Sequence, residues 1–155
     1  MALTQNTPKL VEWTEPPPMS SGAPCLAVHS DGHNLICAYN LHSRRETGRS
    51  VALLKFEVVL QYRIGYPNEE ALAGHPLYPF GLTPYRFYTL ENSLIDEIEK
   101  QNSCHSRHRP GIYAKYRRWI VMFHDETLEV IALRGNINGQ SELPPKKAVC
   151  REGEI

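Results

Sequence analysis

Four of the seven histidines, His75, His105, His108 and His124, fall in the half of the chain that also carries Asp125 and Glu129. Imidazole suits zinc, iron, nickel or copper, and a mononuclear catalytic site uses about three protein ligands and keeps one position open. His105, His108 and His124, with Glu129 or Asp125 as the carboxylate, could supply such a set. The H-x-x-H pair falls in a loop, however, not on a helix where positions four apart share a face. Solvent-facing or capping histidines are the plainer reading, and no cofactor is expected. Without metal, His124 could act as a general base oriented by Glu129 or Asp125, since imidazole titrates near neutral pH. Against this stands an ordinary surface carboxylate, with Glu129 paired to Arg117 or Arg118.

A second constellation is electrostatic. The chain carries 17 basic and 17 acidic side chains, yet residues 101–124 hold five basic and no acidic ones. Arg107, Arg109, Lys115, Arg117 and Arg118 alternate there with Tyr113 and Tyr116, a mixture that can bind phosphates and stack bases. The run is short and the total charge balanced, so a solvated approach to a strand, or one that answers the acidic residues Asp96–Glu99, is the simpler reading. Nucleic acid therefore ranks below a protein or small-molecule partner. A third candidate is the aromatic stretch 78–88, where Tyr78, Phe80, Tyr85, Phe87 and Tyr88 could line an apolar pocket or anchor an interface. Covering the core is the plainer role for it. No G-x-S-x-G elbow is present, and Cys104 beside His105 reads as a buried, inert thiol.

The elements that must position these residues are clearer than the residues' roles. The stretch RRWIVMFHDETLEVIAL, Arg117–Leu133, reads as two strands about a turn at Asp125-Glu126. Alternation places Trp119, Val121, Phe123, Leu128, Val130 and Ala132 on one wholly apolar face. The other face mixes Ile120, Met122 and Ile131 with His124, Thr127 and Glu129. Asp31-Gly32 signals an earlier hairpin that pairs Val28 with Leu35. Val51–Ile64 alternates over too great a length for an unbroken strand, so a bulge or bend is expected. Lys9–Trp13 reads as a short edge strand before three prolines, and Tyr85–Leu90 as another strand. Ser93 opens a helix to about Asn102, with Asp96 three residues on as in a capping box. Between Gly65 and Pro84 the chain is punctuated by glycine and proline, with at most a helical turn at Asn68–Ala73 and a packed-down lid beyond it.

In order, Gly74–Tyr78 (GHPLY), Glu91–Ile95 (ENSLI), His105–His108 (HxxH) and Trp119–Ala132 (WIVMFHDETLEVIA) resemble a group of small, uncharacterised bacterial proteins. The resemblance spans roughly Phe56–Ala132. It marks His75, His105, His108, His124 and Asp125 as parts of one pattern, implies a bacterial cytosolic origin and carries over no activity.

The composition, 41% hydrophobic and 22% charged, fits one ordinary globular domain across residues 1–155, with a core at about 9–135 and mobile ends at 1–8 and 136–155. No apolar run approaches the roughly 18 residues of a membrane span, and the first residues lack a signal-peptide layout. The expected setting is cytoplasmic, with no membrane partner and reduced, mostly buried thiols. The expected fold is α+β: a mainly antiparallel curved sheet, or a partly closed barrel, with one principal helix. The leading functional expectation is a non-catalytic binding or interaction domain. The alternatives are a small enzyme with a His/Glu acid-base or His-metal site, and a phosphate or nucleic-acid binder through 107–118.

Overall fold

The apolar alternation of Arg117–Leu133 forms a hairpin at the centre of a seven-stranded sheet, in a computed structural model that describes residues 7–42, 49–91 and 95–143. The strands are β1 (Lys9–Glu12), β2 (Ala27–Ser30), β3 (Leu35–Asn40), β4 (Arg49–Gly65), β5 (Phe87–Glu91), β6 (Arg117–Met122) and β7 (Thr127–Leu143). Their order is β1-β5-β6-β7-β4-β3-β2, and every neighbouring pair is antiparallel. The fold is α+β with one principal helix among the described residues, α1 (Ile95–Asn102), and the sheet is open. Of the two forms expected, the barrel is therefore not the one adopted.

One face holds the aromatic core. Trp119, Val121, Phe123, Leu128, Val130 and Ala132 are all buried there, with Tyr39, Leu54 and Phe56 from the neighbouring strands. Phe56 and Trp119 meet edge-on at 5.4 Å, Tyr39 lies 5.4 Å from Phe87, and Trp13 closes the group at 6.3 Å from Phe56. Each such side chain contributes roughly 1.5–3 kcal/mol through burial, and the tilted ring pairs add about 0.5–1.5 kcal/mol.

Both hairpins pair two residues away from the expected register. Val28 faces Cys37 instead of Leu35, and Val121 faces Leu128 instead of Val130. In the first, the Asp31 carboxylate accepts the backbone N–H groups of His33 (2.8 Å) and Asn34 (2.6 Å), which moves the turn centre to Gly32-His33, with Gly32 at φ 86°. In the second, the Phe123 N–H bonds to the Glu126 carbonyl (2.9 Å), so His124-Asp125 makes the turn. A slip of two residues keeps every side chain on its expected face, whereas a slip of one would have inverted them.

The expected break in the long strand occurs as two irregularities in the β4–β7 ladder, at Leu53/Leu54 and at Val59/Gln61, with Val58 at φ 55° between them. Ala52, Leu54 and Phe56 are buried, but Leu60, Tyr62 and Ile64 are 37–43% exposed. The cause is topological: β3 pairs with β4 only as far as Phe56, so the later half lies at an edge. β7 also outlasts its apolar alternation. It continues past Gly135 to Leu143 because Arg49–Phe56 offers it a partner.

The segment after β4 packs down on the sheet's second face through two 3-10 helices, Glu69–Gly74 and Tyr78–Phe80. Leucines do this work. Leu72, Leu77 and Leu82 are buried with Tyr88, Leu90, Ile120 and Met122, while Tyr78 and Phe80 remain 47% and 41% exposed. Ile98 of α1 is buried, and the expected cap at Ser93 lies outside the described residues. Cys37 is a buried free thiol, pushed up to about 12 by burial. Cys104 is free but exposed, contrary to the expected burial, because it follows α1 in a surface turn, and Cys25 is disulfide-bonded, contrary to the expected reduced state. No helix among the described residues is long and apolar enough to cross a membrane.

Gly135 sits beneath the aromatic core, where a Cβ would lie 3.0 Å from the Trp119 ring and 3.1 Å from that of Phe56. Those rings are held by each other and by Trp13. Gly135→Ala is therefore expected to destabilise the fold by about 1–2 kcal/mol in urea unfolding.

Candidate functional site

Glu129 is the polar centre of the second face. Paired residues of a sheet share a face, and the register sets Arg63 of β4 directly across from Glu129 and Arg118 of β6 on the diagonal. The bulge at Val59/Gln61 sets the phase that points Gln61 and Arg63 to this side. Arg63 Nη2 donates to Glu129 Oε1 at 2.9 Å, and Arg118 Nη2 donates to Oε2. His75 completes the group from the C-cap of the first 3-10 helix. Its Nδ1 accepts the Leu77 N–H (3.0 Å), which leaves the proton on Nε2 to be donated to Glu129 Oε1 at 3.1 Å. His75 is 4% exposed and Glu129 9%. Burial alone would raise the Glu129 carboxyl, but the His75 and Arg118 hydrogen bonds and the charges of Arg118 and Arg63 outweigh it and bring it down to about 2. Such a carboxylate is no base near neutral pH. It organises two guanidinium groups.

This cluster lies in a pocket of about 600 Å³ between the sheet, α1 and the segment around the second 3-10 helix. Phe80, Leu90, Ile98 and Ile131 supply apolar walls, and Glu97 and Gln101 of α1 supply polar groups on the helix side.

His124 belongs to a separate group. In the turn of the β6–β7 hairpin, its Nδ1 lies 2.8 Å from Glu69 Oε2 and 2.9 Å from the Tyr85 hydroxyl, and that hydroxyl also donates to Glu69 Oε2. The Glu69 N–H bonds to the His124 carbonyl (3.0 Å), and Tyr85 takes φ 61° to present its ring parallel to the imidazole. The hydrogen bond that His124 donates to Glu69 raises the His124 pKa above its ordinary value, against a smaller opposing effect of burial. Burial first, and then Glu69, push Tyr85 up to about 12. His124 Nε2 is left facing Asp125, whose carboxylate is 3.9 Å away and largely exposed.

The residues singled out in the sequence thus part company. Glu129 does not orient His124: the turn at His124-Asp125 directs the imidazole to Glu69, while Glu129 is engaged by Arg63, Arg118 and His75. Nor is Glu129 a surface carboxylate. His105 and His108 follow α1, where His105 Nδ1 accepts the Arg107 N–H and His108 Nε2 lies 3.6 Å from Glu99. Among the described residues, no three His, Cys, Asp or Glu side chains are grouped as a metal would require, so those histidines and His124 are not brought together. Arg107, Arg109, Lys115 and Arg117 are exposed and form no salt bridge among the described residues, whereas Arg118 turns into the pocket. In the aromatic stretch, Tyr85 holds Glu69 and Tyr78 is exposed.

Sequence reasoning missed Arg63, Gln61, Glu69 and the partner of His75. The signal for the first two was the polar side of the long strand, but only the β4–β7 register reveals what it faces. Comparison with protein-family models, with curated proteins and with solved structures finds no match, so the resemblance over Phe56–Ala132 gains no family from them.

Glu129 titrates below its ordinary value of 4.5 in the fold, so its contribution is complete above that range and is lost as pH falls towards 2. Glu129→Ala is expected to cost about 3 kcal/mol near neutral pH, with Glu129→Gln costing less because it keeps an acceptor. In urea unfolding, the deficit of the alanine variant should shrink on acidification. His124 has the opposite sign. Its raised value stabilises the fold below the ordinary imidazole range, and that contribution fades as pH rises through the raised value. Glu69→Gln should move the His124 titration, followed by NMR, back towards the ordinary range.

Proposed function

We propose that this protein is a non-catalytic binding domain whose ligand is a small molecule seated in the pocket above Glu129. The observation that carries the reading is the pocket itself, about 600 Å³ with apolar walls and a few convergent polar groups. That falls within the roughly 300–1,000 Å³ of small-molecule sites. Its polar groups are supported by one another and by the sheet register, which favours recognition over proton transfer. A cytosolic setting is part of the same proposal.

The acid-base alternative is favoured by one observation, the Glu69 contact that engages His124 Nδ1 and leaves Nε2 open. His124 does not line the pocket, so that reading ranks second. The phosphate or nucleic-acid reading rests on Arg107, Arg109, Lys115 and Arg117, none of which lines the pocket either.

A neutral, environment-sensitive fluorophore such as N-phenyl-1-naphthylamine tests the proposal. Saturable, one-to-one fluorescence enhancement is expected, with at least a tenfold loss in Ile131→Trp, whose indole would project into the pocket. Unfolding of that variant by urea verifies that the fold persists. Unsaturable binding, or binding unchanged by a folded Ile131→Trp, defeats the pocket reading.

A further inference from the structure

We infer that the ligand of this pocket is an amphipathic anion whose carboxylate or phosphate group is received by Arg63 and Arg118 while its apolar body lies against Phe80, Leu90, Ile98 and Ile131. The inference rests on the pocket reading above and adds to it the ligand's charge.

Three features of the cluster support a negative head group. First, two guanidinium groups converge on one carboxylate, so the polar end of the pocket carries one uncompensated positive charge. Second, Glu129 already accepts from Arg63, Arg118 and His75, which leaves little of its oxygen surface for an incoming cation. Third, each arginine spends an Nη group on Glu129, and a guanidinium carries five N–H donors in a planar fork suited to an oxyanion. The Arg63 side chain is 62% exposed, so its remaining donors are accessible, and Arg118, at 22%, lies deeper. Holding both side chains against Glu129 before binding reduces the ordering cost that a ligand would otherwise incur. Gln61 adds an uncharged amide beside Arg63, and His75, with Nδ1 engaged as an acceptor, adds no formal charge.

Glu97 is the opposing charge. It lines the same pocket from α1, but it is exposed and makes no salt bridge with either arginine. Water screens it more than the buried group at the sheet. Because Glu97 would be the natural partner of a cationic ligand, it provides a built-in control.

Displacement of N-phenyl-1-naphthylamine by decanoate, decyl phosphate, decanol and decyltrimethylammonium, each below its micellar concentration, tests the inference on the full chain. Decanoate or decyl phosphate is expected to displace the fluorophore at a concentration at least tenfold lower than decanol, and the better of the two identifies the oxyanion. Arg63→Gln should remove most of that preference, read as the ratio of anion to decanol displacement, and Gln61→Glu should do the same by placing a carboxylate beside Arg63. Glu97→Gln should preserve or increase it. Equal displacement by anion and alcohol, unaffected by Arg63→Gln, overturns the charge assignment and leaves the pocket standing. Preference for the ammonium, lost in Glu97→Gln, overturns it in favour of a cation. Absence of saturable fluorophore binding removes the pocket reading, and this inference with it.

Discussion

Withdrawing a carboxylate from water costs several kcal/mol unless donors replace its hydration, and Glu129 imposes that requirement on every element around it. β4 must place Arg63 opposite, β6 must place Arg118 on the diagonal, and the 3-10 helix after β4 must end with His75 against the same oxygen. His75 in turn needs the Leu77 N–H to hold its proton on the correct nitrogen. The leucines that cover this face are therefore positioned by a polar requirement as much as by their own burial. The pocket is the space left where the covering segment and α1 do not close over the charged group.

The opposite face obeys a different physics. Its contacts are mainly those of rings and branched chains, with the Tyr39 hydroxyl donating to the Pro17 carbonyl at 2.8 Å, and the interlocking of Trp13, Phe56 and Trp119 over Gly135 fixes how closely β4, β6 and β7 can stack. One face thus depends on shape and the other on charge, and the central hairpin serves both because its side chains alternate.

That division explains what the sequence made legible. Trp119, Val121, Phe123, Leu128, Val130 and Ala132 could be placed on one face because alternation is local, and a register error of two residues left the placement intact. The edge position of Lys9–Glu12, the helix ending at Asn102 and the antiparallel sheet were readable for similar reasons. The partners of Glu129 were not. They depend on β4 lying beside β7, a neighbour relation between strands remote in sequence, and on a bulge that changes phase at Gln61. Asp125 was adjacent to His124 and looked like its partner, but the backbone bond from Phe123 to Glu126 turns the imidazole towards Glu69. The aromatic stretch 78–88 divides: Phe87 and Tyr88 are buried as its composition suggested, whereas Tyr78 and Phe80 stay exposed and Leu72, Leu77 and Leu82 cover the face beside them.

The arrangement of charges around Glu129 also bears on the order in which the chain can assemble. Arg118 and Glu129 belong to one local hairpin, so their contact needs no strand from elsewhere, whereas Arg63 and His75 arrive only when a distant stretch of chain closes on it. Closing that larger loop is the entropically costlier event. A carboxylate stranded alone on an apolar surface would resist docking of that stretch, but this one can meet its first counter-charge within the hairpin. Arg118 thus does for the folding chain what Arg63 and His75 complete in the folded one: it lets water leave in stages.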